Sequence, residues 1–224
     1  MASPDRLVLY GNDMWTSPYV LSAFVALTEK KLPFEVRTVA LHAGAQQADD
    51  YVRTSFTARV PSLVDGDFTL SESSAIVEYL EDKWPAPGHP ALLPAAPRDR
   101  ARARQLMAWI RSDLAPLREE RSSEYVFFPH AGLRPYAPLT PAARRASEKL
   151  IGFAGRVVPP GGGPLFGAWS IADTDLAMML QRLLKTGEPL PDPLRAFAEH
   201  EWQRPSVQAF VNAPRPAQHR PVAS

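Results

Sequence analysis

The segment "RVPSLVDGDFTLSESSA", residues 59–75, decides the fold that we predict for this chain. It reads as two short strands joined at an Asp-Gly-Asp turn and running into a helix. The first strand carries Pro61, which has no N–H to donate to a sheet. A cis Val60–Pro61 bond would turn the backbone of Val60 outward, so that it could pair with an extended peptide ligand. The alternative is an ordinary proline that starts an edge strand.

The residues before this segment predict a strand–helix–strand unit. The apolar run at 6–11 ends in glycine and indicates a strand. A helix follows, with Ser17 as its N-cap and Pro18 at its first position, and residues 33–41 indicate a second strand. With a short helix before the two strands of the opening segment, the order is β-α-β-α-β-β-α. That order predicts an α/β domain with a mixed sheet, the thioredoxin-like arrangement.

Beyond this half, the hydrophobic pattern changes to helical stripes. The proline-rich run "PAPGHPALLPAAP" at 85–97 cannot continue a helix or a strand and indicates a linker. One of the stripes that follow runs from Ala103 to Leu117. We therefore predict a thioredoxin-like domain at 1–85, a linker at 86–97 and an all-helical domain at 98–224 with a frayed tail.

Composition excludes several classes of function. With 25 basic and 24 acidic residues the net charge is +1, so no overall field attracts nucleic acid or a membrane surface. The chain has no cysteine, which excludes disulfides, thiolate metal sites and a protein sulfur nucleophile. Its five histidines show no metal-ligand spacing, so we expect no metal. The N-terminal residues do not show the basic segment followed by an apolar run that is typical of a signal peptide. No run of apolar residues is long enough to span a bilayer, so we expect a cytoplasmic protein.

Two predicted helix starts carry polar residues that suit an anion. Ser71 to Ser74 stand where unpaired backbone N–H groups and the positive end of the helix dipole meet. A carboxylate would suit this start, and Glu72 could hold an ammonium group, although a simple serine cap explains the same residues. Ser17 has the same two interpretations. Its hydroxyl could stabilise a thiolate brought by a substrate, with Tyr10, Asn12 and Thr16 as alternatives.

Three motifs in this order resemble the soluble glutathione S-transferase superfamily. They are "SPYVLSA" at 17–23, "RVPSLVDGDFTLSESSAIVEYLED" at 59–82 and "SIADTDLAMML" at 170–180. The resemblance covers nearly the whole chain and looks closest to the bacterial YfcF-type members. It implies a transferase that uses glutathione as co-substrate in detoxification or in the response to oxidative stress. It also implies a homodimer and a small electrophile or peroxide as second substrate.

The resemblance implies a role for each matching residue. Ser17 corresponds to the serine that contacts the glutathione sulfur, and Val60, before cis-Pro61, to the residue whose backbone pairs with the cysteinyl part. Glu72 and Ser73 correspond to the pair that holds the γ-glutamyl group. In "SIAD", Ser170 and Asp173 correspond to the family's helix-capping box, whose role is structural.

Some positions depart from the family pattern. Many members have Asn-Pro ahead of the Val-Pro strand, whereas this chain has "TSFTARVP", so we expect the loop at 54–58 to be built differently. The partner of the glycine carboxylate is not fixed by the match, and the candidates are Arg59, His42 and Gln46. For the second-substrate pocket, the candidate walls are Trp15, Trp109 and Tyr125, and for Trp109 and Tyr125 core or interface packing is the alternative.

Two other functions remain open from the sequence. One is a non-catalytic binding or regulatory protein that kept the fold, an alternative motivated by the altered loop at 54–58. The other is a glutathione-dependent isomerase of the maleylacetoacetate kind. Such an isomerase would be expected to carry a Ser-Ser-Cys start to its first helix, which "WTSPYV" at 15–20 does not match.

Overall fold

The structure is a computed structural model that describes residues 6–128 and 136–216. The chain divides into two compact units. The first comprises the residues up to Leu92 together with Ala209–Pro216, and the second runs from Leu93 to Gln208. This division differs from the predicted boundaries, because much of the predicted linker and part of the predicted tail belong to the first unit. The end of that tail, 217–224, lies outside the described residues.

The first unit has the predicted order of strands and helices. Its four strands form one sheet in the order β2-β1-β3-β4, with β1 parallel to β2 and antiparallel to β3, and β3 antiparallel to β4. This is the thioredoxin-like arrangement. The elements are β1 (Leu7–Asn12), α1 (Pro18–Glu29), β2 (Phe34–Val39), α2 (Asp49–Thr54), β3 (Ser62–Asp65), β4 (Phe68–Ser71) and α3 (Ser73–Lys83).

A buried lysine ties the predicted linker to this first unit. Lys30, at the end of α1, is fully buried, and its Nζ lies 2.7 Å from Glu81 Oε2. The same ammonium donates to the carbonyls of Trp84 and Pro90 at 2.7 and 3.0 Å. The Leu92 N–H then donates to Glu81 at 2.9 Å. The chain after α3 is therefore held by a satisfied buried ion pair, and its proline content did not reveal this.

The described part of the second unit is helical, as predicted. It comprises α4 (Pro97–Ser112), α5 (Ala115–Glu120), α6 (Ser123–Phe127), α7 (Pro141–Val157), α8 (Ile171–Leu184), α9 (Asp192–Trp202) and the start of α10 (Pro205–Val211). Helix α8 lies in the core of this second unit, because 13 of its 14 residues are buried. None of the described helices is both long enough and apolar enough to cross a bilayer.

The predicted helical stripe from Ala103 to Leu117 is wrong in one respect, because two helices share it. Helix α4 ends at Ser112, and Leu114 has a φ of +61°, a conformation that ends a regular helix. Asp113 stabilises this corner, since its Oδ1 accepts the Leu114 N–H at 2.7 Å. The helical spacing of apolar residues continues across the break between α4 and α5, so hydrophobic periodicity alone does not reveal the break.

Candidate functional site

The register of the sheet brings the segments that carry Ser17, Val60 and Glu72 to one end of the strands, which we call the site edge. Tyr10 near the end of β1 faces Ser62 at the start of β3, and Ser62 faces Ser71 at the end of β4. At this edge the chain therefore leaves β1 toward α1, enters β3, and leaves β4 toward α3. The edge places the start of α1, the Val60–Pro61 segment and the start of α3 next to one another.

The Val60–Pro61 bond is cis, as predicted. Strand β3 begins after it, and Val60 is partly exposed. Neither the N–H nor the C=O of Val60 has a hydrogen-bond partner among the described residues. A backbone with both groups unpaired just before a strand is suited to pair with an extended peptide.

The start of α3 offers a positively polarised helix end beside an exposed carboxylate. Glu72 is the N-cap residue, is exposed, and makes no capping hydrogen bond with its side chain. Its φ is +73°, a conformation that is rare for residues other than glycine and that often marks functional positions. Ser73 is 4% exposed. Of the predicted pair, Glu72 therefore has the more accessible side chain, and Ser73 contributes the first residue of the helix.

Ser17 is the N-cap of α1, as predicted. Its Oγ accepts the Val20 N–H at 3.3 Å, and its side chain is partly exposed. No acidic residue lies in the first turn of α1. The positive end of this helix is therefore not compensated by a carboxylate of its own first turn, which leaves it suited to an anion.

The three alternatives to Ser17 have other partners. The Asn12 side chain donates to Thr16 Oγ1 at 2.9 Å and accepts the Ser17 N–H at 3.2 Å. Asn12 and Thr16 are buried, at 6% and 8% exposure. The Tyr10 hydroxyl accepts from Arg37 at 3.5 Å. Asn12 and Thr16 therefore hold the loop that presents Ser17, and Ser17 has the accessible hydroxyl.

Trp15 is held within the first unit by two aromatic rings and by Arg215. Its ring packs edge-to-face on Phe24 and Phe210, at centroid distances of 5.8 and 5.2 Å. Its carbonyl accepts from Arg215 Nη2 at 3.0 Å. Arg215 lies in the segment that we expected to be frayed, and the proline- and alanine-rich composition of that segment did not indicate this hydrogen bond.

The candidates for the glycine carboxylate are arranged differently from one another. The Arg59 side chain is exposed, while its backbone carbonyl accepts from the Tyr51 hydroxyl at 2.8 Å. His42 Nδ1 lies 3.4 Å from Asp13 Oδ2. Gln46 is partly buried, and its Oε1 has no hydrogen-bond partner among the described residues. The geometry does not single out one of the three.

Trp109 and Tyr125 belong to the second unit. The Trp109 Nε1 donates to Asp113 Oδ2 at 3.0 Å, and its ring packs on Phe153 at 4.6 Å. The Tyr125 ring stands edge-to-face on Tyr136 at 4.9 Å. Both side chains are partly exposed, and each packs within its own unit. Their role as walls of a pocket stays a prediction.

Ser170 and Asp173 form the predicted capping box at the start of α8. Asp173 Oδ2 accepts from the Ser170 N–H at 2.9 Å and from its hydroxyl at 2.8 Å, and Oδ1 accepts the Leu165 N–H at 2.8 Å. Burial raises the pKa of Asp173, against the effect of these hydrogen bonds. Both box residues are at most 1% exposed, so their contribution is to folding.

A metal site is not formed by the residues that the structure describes. Among them, no group of three or more histidine, aspartate or glutamate side chains is placed to hold an ion.

Comparison with known proteins points to one family. The protein-family model of the glutathione S-transferase C-terminal domain matches residues 97–214, and the family model of the N-terminal domain matches residues 7–82. A crystal structure of a glutathione transferase homologue from Burkholderia BGR1, with bound glutathione, is 44% identical. Its TM-score is 0.75, and the match covers 92% of this chain and 97% of that one.

Two further relatives are named as isomerases. A probable maleylacetoacetate isomerase of Vibrio cholerae is 33% identical over 122 residues, which are 54% of each chain. The chain thus spans about half the length of this curated relative. A maleylacetoacetate isomerase from Methylobacterium extorquens, solved with malonate and glutathione, is 28% identical with a TM-score of 0.70, over 94% of this chain and 100% of that one.

Proposed function

Because the chain belongs to the glutathione S-transferase family, we propose that it is a glutathione transferase that activates the thiol of bound glutathione. The thiol would attack a small electrophile or a peroxide. One observation carries this proposal: an unpaired backbone at Val60 and the starts of α1 and α3 lie at one edge of the sheet. No other edge of the described sheet combines these features.

The residues at this edge match the chemistry of the tripeptide. The free N–H and C=O of Val60 would pair with the main chain of the cysteinyl residue, as in addition of a strand to a sheet. The N–H groups at the start of α3, beginning with Ser73, would hold the γ-glutamyl carboxylate. The exposed carboxylate of Glu72 would take the ammonium group. The cysteinyl backbone and the carboxylate and ammonium groups of the γ-glutamyl part would thus each meet a group of complementary character.

Ser17 would hold the sulfur. A free thiol has a pKa of about 8.5 and is only a few per cent ionised at neutral pH. Lowering that pKa by about two units requires roughly 2.7 kcal/mol of preferential stabilisation of the thiolate. A hydroxyl donor and an uncompensated helix end together supply an effect of that order. Because the chain has no cysteine, the reactive sulfur has to come from the substrate.

We also propose that the protein is a homodimer. In the first unit Phe56 is 97% exposed, and Val52 and Phe68 are 46% and 43% exposed. An aromatic side chain held in water forgoes the gain of burial, which a second copy of the chain would supply. Substituting Phe56→Ser should shift the mass measured by light scattering from two chains toward one. A wild-type mass of one chain would contradict the proposal.

A close relationship of this chain to the YfcF-type members of the family, and its location in the cytoplasm, also stay predictions from the sequence.

An isomerase is the second candidate function, because two of the relatives are maleylacetoacetate isomerases. Both functions use the same glutathione site and differ in the second substrate. The start of α1, "WTSPYV", lacks the cysteine that we expect of such an isomerase, which favours the transferase.

The decisive experiment has two arms. Calorimetry with millimolar glutathione tests binding, and a turnover screen with aryl halides, organic peroxides, disulfides and maleylacetoacetate tests the reaction. We expect measurable binding and turnover of an aryl halide or a peroxide. Binding without turnover would support a non-catalytic protein, turnover of maleylacetoacetate alone would support the isomerase, and the absence of binding would contradict both enzymatic functions.

A further inference from the structure

Four hydroxyl side chains meet beneath the candidate site, and we call them the hydroxyl cluster. Tyr51 lies on α2, Ser55 follows the last residue of α2, Ser62 begins β3 and Ser71 ends β4. All four are buried, with exposures of 5%, 1%, 0% and 6%. Four buried hydroxyls in one place require a reason, because each has to find hydrogen-bond partners inside the protein.

Their shared partner is the backbone of Arg59. Its carbonyl accepts from Tyr51 Oη at 2.8 Å and from Ser55 Oγ at 3.0 Å, with Ser62 Oγ a further 3.3 Å contact. The Arg59 N–H donates back to Ser55 Oγ at 3.3 Å. Ser55 thus closes the loop at 54–58 by holding both polar groups of one residue, which is how this chain builds the loop without the Asn-Pro of many members.

The hydroxyls also bind one another. Ser71 Oγ lies 3.2 Å from both Ser55 Oγ and Ser62 Oγ, and Tyr51 Oη lies 3.3 Å from Ser62 Oγ. One arrangement uses every proton: Tyr51 and Ser55 donate to the Arg59 carbonyl, Ser71 donates to Ser55, and Ser62 donates to Ser71. A cluster in which every proton is used has little freedom to move, because any displacement breaks a bond away from water.

The cluster's shared partner and one of its members each lie directly before a proposed contact point. Arg59 immediately precedes Val60, and Ser71 immediately precedes Glu72. We propose that the hydroxyl cluster is a set of positioning residues that fixes the Val60 backbone relative to the start of α3. This inference rests on the proposed function, in which Val60 and Glu72 hold two parts of one tripeptide. A peptide gripped at two points binds tightly only when their separation is set in advance.

The test is the variant Tyr51→Phe, which removes one hydroxyl and keeps the ring. Its matched control is Tyr79→Phe, which removes a hydroxyl that donates to Asp65 Oδ2 at 2.6 Å, next to the β3–β4 turn and away from the cluster. Ser55→Ala is a second variant of the cluster. The readouts are the Kd of glutathione by calorimetry, kcat at saturating glutathione, and the melting temperature.

We expect Tyr51→Phe and Ser55→Ala to weaken glutathione binding about tenfold, the order of one lost hydrogen bond, with kcat within about twofold of wild type. Tyr79→Phe should leave the Kd within about twofold. A cluster with a merely structural role would lower the melting temperature and leave the Kd unchanged. That result in both cluster variants would overturn the inference.

Amide hydrogen exchange of the ligand-free protein separates this inference from the proposed function. We expect the Arg59 amide to exchange faster in Tyr51→Phe than in wild type, and at the wild-type rate in Tyr79→Phe. If wild type binds no glutathione, the proposed function fails, and exchange still decides whether the cluster fixes this segment. An Arg59 amide that exchanges equally in Tyr51→Phe and wild type would overturn the inference, whatever the ligand.

Discussion

The starts of α1 and α8 use the same residue type for different purposes. Ser17 caps α1 and Ser170 caps α8. Behind Ser170, at the third position of the helix, stands Asp173, and both are buried. At the corresponding position of α1 stands Val20, and Ser17 remains partly exposed. Both starts are hydrogen-bonded from within, but the Ser170 N–H donates to the carboxylate of Asp173, whereas the Ser17 N–H donates to the neutral amide of Asn12. The start of α1 has no acidic residue in its first turn, and in this sense we call it open.

The difference teaches that a serine cap alone does not indicate function. What decides is whether the protein supplies its own anion to the helix end. Asp173 supplies one to α8, and three donors converge on its carboxylate. Helix α1 has no acidic residue in its first turn, so a thiolate or carboxylate from a ligand can take that place.

The largest expected effect comes from removing the internal anion. Asp173→Ala leaves the N–H groups of Ser170 and Leu165 without their acceptor in a buried place, and should lower the free energy of unfolding by about 3 kcal/mol. Urea unfolding followed by circular dichroism measures this. Asp192→Ala, which removes an exposed carboxylate from the first turn of α9, is the control and should cost less than about 1 kcal/mol. Equal losses in the two variants would mean that the box adds nothing beyond the helix dipole.

The two cap serines should differ in the same assay. Ser170→Ala should cost about 1–2 kcal/mol, because it removes a buried cap, whereas Ser17→Ala should cost less than about 1 kcal/mol. The same pair should behave in the opposite way in turnover with glutathione, where only Ser17→Ala should reduce kcat. If Ser17→Ala proves the more damaging to stability and leaves kcat unchanged, Ser17 is a structural cap and its assignment to the sulfur fails.

Adding a carboxylate to the first turn of α1 should make this helix start resemble that of α8, which already has one. Tyr19→Glu places a carboxylate in the first turn of α1, where it competes with a bound anion. We expect the pKa of the bound thiol to rise by about half a unit, and turnover below that pKa to fall about threefold. Tyr19→Gln is the matched neutral control and should leave both near wild type. A fall of the same size in Tyr19→Gln would assign the effect to the lost ring and not to charge.

The smallest effect concerns the pH dependence of the capping box. Burial raises the pKa of Asp173 above the 3.8 of an unfolded chain, so the native state binds the proton more tightly. The stability advantage of wild type over Asp173→Ala should therefore be largest in acid, and it should narrow as the pH rises through the native pKa. Unfolding curves between about pH 3 and pH 6 measure this difference. An advantage that instead grows with pH would mean that the hydrogen bonds from Ser170 and Leu165 outweigh burial.

Local patterns in the sequence were enough to predict most of the fold. Turn residues and apolar spacing predicted the order of strands and helices along the first unit, and the resemblance to a family implied the capping box of Ser170 and Asp173. The resemblance to a family supported the cis bond at Pro61. These features depend on neighbours in the chain, which is why they can be read from one sequence.

Features that depend on distant residues could not be read in this way. Lys30 pairs with Glu81 and with carbonyls more than 50 residues away, and Arg215 reaches Trp15 across 200 positions. The hydroxyl cluster joins Tyr51 and Ser55 to two strands through side chains that are common on surfaces. Neither residue type nor spacing marks such contacts, because only the folded backbone brings them together.

The most direct test of the central claim is the pKa of glutathione's thiol when bound to the protein. Thiolate absorbance is titrated against pH for wild type and for Ser17→Ala, each saturated with glutathione. We predict a midpoint about two units below that of free glutathione for wild type and a return toward about 8.5 for the variant. The same midpoint in both proteins would contradict the claim that Ser17 and the open start of α1 ionise the sulfur.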